Sequence, residues 1–156
     1  MLKLSFSNYE QLRAHGVETY PYECCGVLLG HATDDGNAVV EIVRAGNTRV
    51  DSLHNRYNIA PEELVKLQRQ ARKAGLDIVG FYHSHPDHPA MWSSTDFAEA
   101  HWLECSYVIT RVAGDKTSGA PEDTNSFRLL GTGEDDKRFE PEPIEILMRE
   151  ESAQTV

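Results

Sequence analysis

GFYHSHPDHPAMWSSTD occupies residues 80–96, and the first two of its three histidines, His83 and His85, follow an apolar run at residues 78–82. The apolar run predicts a short buried strand. Side chains two residues apart on an extended backbone project from the same face, so both imidazoles would point to one place. The stretch therefore predicts a pair of metal-binding histidines at the end of a strand.

A third candidate ligand, Asp96, lies eleven residues after His85, where a helix is predicted to begin near Ser93. Two histidines and one carboxylate leave the fourth position of a tetrahedral zinc ion open, which is typical of catalytic rather than structural sites. Water in that position has its pKa lowered towards neutrality. On its own, the Ser93-x-x-Asp96 spacing is better explained as a helix capping box, so the prediction depends on the joint pattern.

Predicted strands and helices alternate along the rest of the chain. One helix is predicted to start at a capping box formed by Ser7 and Glu10, and another at Pro61. The helix near Ser93 is predicted to run to about residue 103. Strands are predicted at residues 25–30, 38–43, 78–82, 106–111, 126–130 and 143–148, with a surface loop at 113–125. This alternation predicts an α/β fold in which a mixed β-sheet is flanked by helices.

Length and composition indicate an ordinary globular protein. The 156 residues predict one domain, which we place at residues 1–148, followed by a polar tail at 149–156. The net charge of −10 argues against a nucleic-acid partner. No signal peptide or membrane-spanning run is evident. Three cysteines, two of them adjacent, do not form a disulfide framework, so a reducing cytoplasm is predicted.

The motif His83-x-His85-x7-Ser93-x-x-Asp96 resembles in full the motif of the JAMM (MPN+) zinc metalloproteases. The resemblance extends upstream to Glu23, which precedes Cys-Cys-Gly, and covers roughly residues 4–130. The short chain is most similar to the stand-alone prokaryotic branch of that family. The resemblance implies a cytidine-deaminase-like sheet and one catalytic zinc ion held by His83, His85 and Asp96.

The resemblance also implies the roles of two further residues. Glu23 would take a proton from the attacking water and return it to the leaving amine. Ser93 would donate a hydrogen bond to the oxyanion of the tetrahedral intermediate. The implied activity is hydrolysis after the C-terminal Gly-Gly of a ubiquitin-like or sulfur-carrier protein, releasing cysteine, another amino acid or a protein lysine. The alternatives are a non-catalytic MPN-type binding scaffold and an amidase of small peptides; the oligomeric state is not predicted.

Two other interpretations involve neighbouring residues. His83-x-His85-x-Asp87-His88 also matches a string of the metallo-β-lactamases, but the chain is too short for that fold, so Asp87 and His88 are predicted to line the rim of the zinc pocket. The zinc deaminases need His-x-Glu and Pro-Cys-x-x-Cys, which are absent. Cys24 and Cys25 are interpreted as packed core residues, with a regulatory thiolate on zinc as the alternative.

Overall fold

The computed structural model describes residues 1–47, 59–113 and 123–148. Within these residues the chain forms three helices and eight strands. The helices are α1 (Phe6–Thr19), α2 (Pro61–Lys73) and α3 (Ser94–Ala98); the strands are β1 (Leu2–Ser5), β2 (Cys25–Thr33), β3 (Gly36–Ala45), β4 (Asp77–Pro86), β5 (Ser106–Val112), β6 (Thr124–Leu130), β7 (Arg138–Glu142) and β8 (Ile144–Leu147). The predicted tail at 149–156 and most of the predicted loop at 113–125 lie outside the described residues.

The eight strands form one sheet in the order β7-β6-β5-β4-β2-β3-β1-β8. Strand β4 pairs in parallel with β5, and β1 pairs in parallel with both β3 and β8. The other neighbouring strands are antiparallel. The predicted α/β fold with a mixed sheet is therefore confirmed, and the last predicted strand does lie at an edge of the sheet.

Helices α1 and α2 cover opposite faces of this sheet. Successive side chains of a strand point to opposite faces. Val27 of β2 packs in one apolar cluster with Leu67 of α2, whereas Leu28 packs in another with Leu12 of α1. Strand β4 thus runs through the middle of the molecule between two helical layers, which shields its side chains from water. Among the described residues, no helix combines the length and apolar character that crossing a bilayer requires.

The predictions for the first helix and strand were incomplete. Strand β1 was not predicted, because four residues are too few to display a two-residue period. The residue that caps α1 is Ser5 and not Ser7: the Ser5 side chain accepts a hydrogen bond from the backbone N–H of Asn8. Ser7 therefore lies inside the first turn of α1.

The prediction for the helix near Ser93 was correct at its start and wrong at its end. Helix α3 stops at Ala98, five residues before the predicted end. Glu104 has a φ of 72°, a left-handed conformation that a continuing helix does not allow. Apolar side chains after α3, such as that of Ala100, are buried although their backbone is irregular. Their spacing in the sequence therefore resembles that of a helix. Cys105, which also follows α3, is likewise buried. Strand β7 was also not predicted, since its sequence contains a proline and three charged residues.

His15 is the buried histidine of α1, and its Nδ1 lies 2.7 Å from the hydroxyl of Tyr82 in the centre of β4. Burial lowers the pKa of His15 from 6.5 to about 4, with a further contribution from the charge of Arg44. The imidazole is therefore neutral in the folded protein at pH 5–7, whereas in the unfolded chain it takes up a proton below pH 6.5.

We therefore expect the metal-free protein to lose stability as the pH falls from 6.5 towards 4, because the unfolded state then binds more protons than the folded state. Each unit of pKa difference corresponds to about 1.4 kcal/mol, so His15 contributes a loss of about 2–3 kcal/mol over this window. Urea denaturation with chelator at several pH values measures it. The His15→Gln variant should show a shallower pH dependence, and His31→Gln, at an exposed position, should follow the wild type. Parallel curves for the wild type and His15→Gln would contradict this prediction.

Candidate metal centre

Strand β4 carries both histidines of the predicted motif at its carboxyl end. It remains extended through Pro86, so His83 and His85 project from the same side, as the spacing predicts. Their Nε2 atoms lie 3.1 Å apart. The helix α3 brings in Asp96, whose Oδ2 lies 3.1 Å from Nε2 of His85 and whose Oδ1 lies 3.3 Å from Nε2 of His83. All three side chains are buried, with exposed fractions of 2%, 9% and 7% for His83, His85 and Asp96.

This group of three side chains fits a metal ion in both chemistry and spacing. Two imidazoles and a carboxylate are a common donor set for zinc. A tetrahedral zinc ion with bonds of about 2.0–2.1 Å separates its ligand atoms by about 3.3 Å. The separation of the two Nε2 atoms and that of His85 Nε2 from Asp96 Oδ2, both 3.1 Å, are close to that value, and one ligand atom of each side chain lies within 4.8 Å of the others. His83, His85 and Asp96 could therefore hold one zinc ion.

Hydrogen bonds orient two members of the group. Nδ1 of His85 lies 2.8 Å from the carbonyl oxygen of Pro89 and donates a hydrogen bond to it. The lone pair of Nε2 is therefore the one that can bind a metal. Asp96 accepts from the backbone N–H of Ser93 at 2.9 Å, and Ser93 Oγ accepts from the backbone N–H of Asp96 at 3.0 Å. The capping box and the metal-binding interpretation of these two residues are thus compatible: the cap places the Asp96 carboxylate beside the imidazoles.

The protonation states of the group also suit a cation. Burial lowers the pKa of His83, which keeps its imidazole neutral. Burial opposes ionisation of Asp96, but the hydrogen bonds that its carboxylate accepts, from His83 and from the backbone N–H of Ser93 among others, outweigh it and hold the pKa of Asp96 below its usual range. Neutral histidine and ionised aspartate are the forms that bind a metal.

Glu23 lies next to this group, two residues before β2 begins. Its side chain is buried, and its Oε1 has no hydrogen-bond partner among the described residues. Burial, with the charge of Asp96 adding to it, raises the pKa of Glu23 from 4.5 to about 9. The Asn47 side chain donates to the backbone carbonyl of Glu23 at 3.2 Å and so holds this segment. A buried carboxyl with a strongly raised pKa beside a metal-binding group is typical of a site that transfers protons.

Glu23, His85 and Ser93 face one open cavity of about 440 Å³. Its remaining lining residues are His88, Pro89, Met91 and Trp92. Trp92 lines this cavity, and its ring also packs on that of Phe97 in α3, with the ring centroids 5.4 Å apart. Met91 was not predicted from the sequence to line the cavity. It is a large apolar residue beside the motif, and its side chain is exposed.

The structure separates Asp87 and His88 from the metal-binding group. Within the described residues, the His83, His85 and Asp96 group brings its ligand atoms within 4.8 Å of one another without either residue. Asp87 accepts a hydrogen bond from the Tyr20 hydroxyl at 2.7 Å, and His88 lines the cavity. The arrangement agrees with the expectation that His88 is a rim residue and not a ligand.

Cys24 and Cys25 are both buried and carry free thiols. Burial raises the pKa of Cys24 to about 11, and it raises the pKa of Cys25 as well. A thiolate is therefore disfavoured at both positions, and neither sulfur belongs to the group that could hold a metal. These observations favour the packing interpretation. Gly26, the next residue, lies against the ring of Tyr82, where an added Cβ would come within 2.4 Å of a ring carbon.

Comparison with known proteins agrees with this geometry. The family model of prokaryotic homologs of the JAB domain matches residues 7–130. The chain is 36% identical over 98 residues to a desampylase of Haloferax volcanii, covering 63% of this chain and 68% of the relative. It is 31% identical over 113 residues to a probable TtuB-protein conjugate cleaving protease of Thermus thermophilus, covering 72% of each chain.

A solved structure supports the same assignment at the level of the fold. A protein from Desulfitobacterium hafniense superimposes with a TM-score of 0.75 and 26% identity, covering 96% of this chain and 94% of that one. The chain belongs to the family of prokaryotic homologs of the JAB domain. The resemblance to the JAMM/MPN proteins is thus confirmed, and the protein is a hydrolase.

Proposed function

We propose that the protein is a zinc-dependent peptidase or isopeptidase that cleaves after the C-terminal Gly-Gly of a ubiquitin-like or sulfur-carrier protein. The observation that carries the proposal is the convergence of His83, His85 and Asp96, whose ligand atoms lie within 4.8 Å of one another, with the buried carboxyl of Glu23 in the cavity that His85 also lines. A scaffold without activity would have no need of a buried carboxyl whose oxygen lacks a partner.

Residues of the chain have distinct roles in the proposed hydrolysis. Zinc, when bound, would act as a Lewis acid, which lowers the pKa of water and polarises the scissile carbonyl. Glu23 takes the proton from the attacking water and returns it to the leaving amine. With zinc held by His83, His85 and Asp96, the ionised form of Glu23 would be favoured and its raised pKa would fall back towards neutrality, where a carboxyl group exchanges protons efficiently.

In this proposal Ser93 stabilises the oxyanion. Its Oγ accepts a hydrogen bond from the backbone N–H of Asp96 at 3.0 Å, so its own proton is available to donate into the cavity. A donor held by a helix cap does not have to reorganise as the charge develops, which is the condition for effective electrostatic stabilisation.

The names of two relatives support a protein conjugate as the substrate. One is named desampylase and the other is named for cleaving TtuB-protein conjugates. A tail that ends in two glycines suits a buried metal group, because it carries no side chain that would clash at the entrance. A cytoplasmic location remains a prediction from the sequence.

The proposal is tested with carrier proteins that bear a C-terminal Gly-Gly-amino-acid extension. We expect the zinc-loaded protein to release the amino acid, and we expect a chelator to stop the release until zinc is restored. Mass spectrometry identifies the new carboxyl terminus. Absence of cleavage across several carriers by protein with stoichiometric zinc would contradict the proposal. In that case, cleavage of a short-peptide panel would favour the small-peptide amidase, and no cleavage of either would favour the scaffold.

A further inference from the structure

Lys137 lies outside the proposed site, yet its ammonium group contacts the helix that carries Asp96. The Lys137 side chain is only 5% exposed, which is unusual for a lysine. Its Nζ lies 2.9 Å, 3.4 Å and 2.8 Å from the backbone carbonyl oxygens of Phe97, Ala98 and Ala100. These carbonyls form the C-terminal end of α3 and the turn that follows it.

Helix α3 needs such a contact because it is too short to be stable alone. It has five residues, and helices of this length do not form in isolation. The capping box of Ser93 and Asp96 satisfies its N-terminal end, but the last carbonyls of a helix have no partner within the helix. An ammonium group has three protons to donate, and its positive charge is favourable at a helix C-terminus. Lys137 thus does for the C-terminal end what the capping box does for the N-terminal end.

Lys137 is itself held in place by the turn between β6 and β7. The carboxylate of Asp136 accepts hydrogen bonds from the backbone N–H groups of Thr132 and Gly133, each at 2.9 Å to Oδ1, which closes the turn. A carboxylate oxygen of Glu134 lies 3.0 Å from Nζ of Lys137 and balances its charge. The anchor is therefore fixed independently of α3.

Apolar contacts hold the same helix from another side. The ring of Phe97 packs on Trp92 at 5.4 Å and on Phe139 at 5.5 Å, and Nζ of Lys137 lies 4.9 Å from its centroid. These contacts fix how far α3 lies from the sheet, but they cannot satisfy its carbonyls. Loss of the ammonium group would remove its hydrogen bonds to the carbonyls of Ala98 and Ala100 and would leave the Phe97 carbonyl with the Ala100 N–H, which frees α3 to shift. Asp96 lies one residue before Phe97.

We infer that Lys137 is a positioning residue for the metal centre, which fixes the C-terminal end of α3 so that Asp96 and Ser93 stay aligned with His83 and His85. The inference rests on the proposed function, because it assumes that these side chains bind zinc. It adds a requirement that the metal motif does not contain: a lysine more than forty residues after Asp96 in the sequence.

The test compares Lys137→Met with Arg138→Met in the full chain. The first variant keeps most of the apolar stem and removes the charge and the donors; the second removes an exposed positive charge, paired with Glu140, from the next residue. Zinc affinity is measured by competition with a chromophoric chelator, and the Co²⁺-substituted proteins are compared by their ligand-field absorption. We expect Lys137→Met to bind zinc at least about tenfold more weakly, with a changed Co²⁺ spectrum, and Arg138→Met to match the wild type.

Each result has a definite meaning. A folded Lys137→Met variant with wild-type zinc affinity and an unchanged Co²⁺ spectrum would overturn the inference. If that variant does not fold, Lys137→Gln, which keeps two donors, takes its place; weaker zinc binding supports the inference and unchanged binding overturns it. Zinc binding by the wild type without carrier cleavage would instead overturn the proposed function and leave the role of Lys137 intact.

Discussion

The Glu23→Gln variant is expected to bind zinc normally and to lose catalytic activity by about 10²–10⁴-fold in kcat/KM, the usual contribution of a general acid–base group. The amide has nearly the shape of the carboxyl group, so the cavity that it shares with His85 and Ser93 is preserved. It cannot take up a proton, however, and therefore cannot pass one from water to the leaving amine. Cleavage of a carrier with a Gly-Gly extension gives the rate, and zinc analysis of the same samples gives the metal content.

The same substitution should make the metal-free protein more stable at pH 8. The pKa of Glu23 is about 9 in the folded state, above the ordinary value of 4.5, so the unfolded chain loses its proton first as the pH rises. The wild type therefore loses stability between pH 4.5 and about 9, and a neutral amide removes that loss. Glu41→Gln, at an exposed position of β3, is the matched control and should change neither activity nor stability. Retained activity in Glu23→Gln would contradict the role of Glu23, and a less stable metal-free variant would contradict the raised pKa.

Sequence patterns predicted the convergence of His83, His85 and Asp96 because its geometry is local. The two-residue spacing of His83 and His85 needs only an extended backbone, and a capping box fixes the direction of the Asp96 side chain at the start of a helix. The position of Glu23 beside them depends on the pairing of β2 with β4, which aligns Cys25 with His83. No spacing within the sequence encodes that pairing, and only the resemblance to a family pointed to Glu23.

What the sequence did not predict is the non-local support of the site. Helix α3 is short, and a β6–β7 turn with Lys137 and an aromatic contact with Phe139 hold it in place. These contacts join segments about forty residues apart. Buried apolar residues after Ala98 produced the pattern of a longer helix, because periodicity reports burial and does not distinguish helix from irregular backbone. Strand β1, which was also missed, is another element whose support is non-local: its partners β3 and β8 are distant in sequence.

Replacement of His85 by alanine is expected to abolish stoichiometric zinc binding, whereas replacement of His88 should leave the zinc content unchanged. The two histidines are three residues apart in the same segment, but only His85 places its Nε2 within 3.1 Å of both Nε2 of His83 and Oδ2 of Asp96. Loss of an orienting partner of a metal ligand typically weakens binding by about 10–100-fold, so loss of a ligand should exceed that range. The comparison separates a ligand from a rim residue in the same stretch of sequence.

Zinc content after dialysis, and zinc affinity by chelator competition, measure the difference directly. The pair of variants also separates the mononuclear centre proposed here from a two-metal centre that would use Asp87 and His88. A two-metal centre predicts that His88→Ala lowers the zinc content, and such a result would contradict our assignment. Zinc retained at full stoichiometry and affinity by His85→Ala would contradict it as well. The two remaining ligands, His83 and Asp96, would hold a tetrahedral ion too weakly for it to survive a competing chelator.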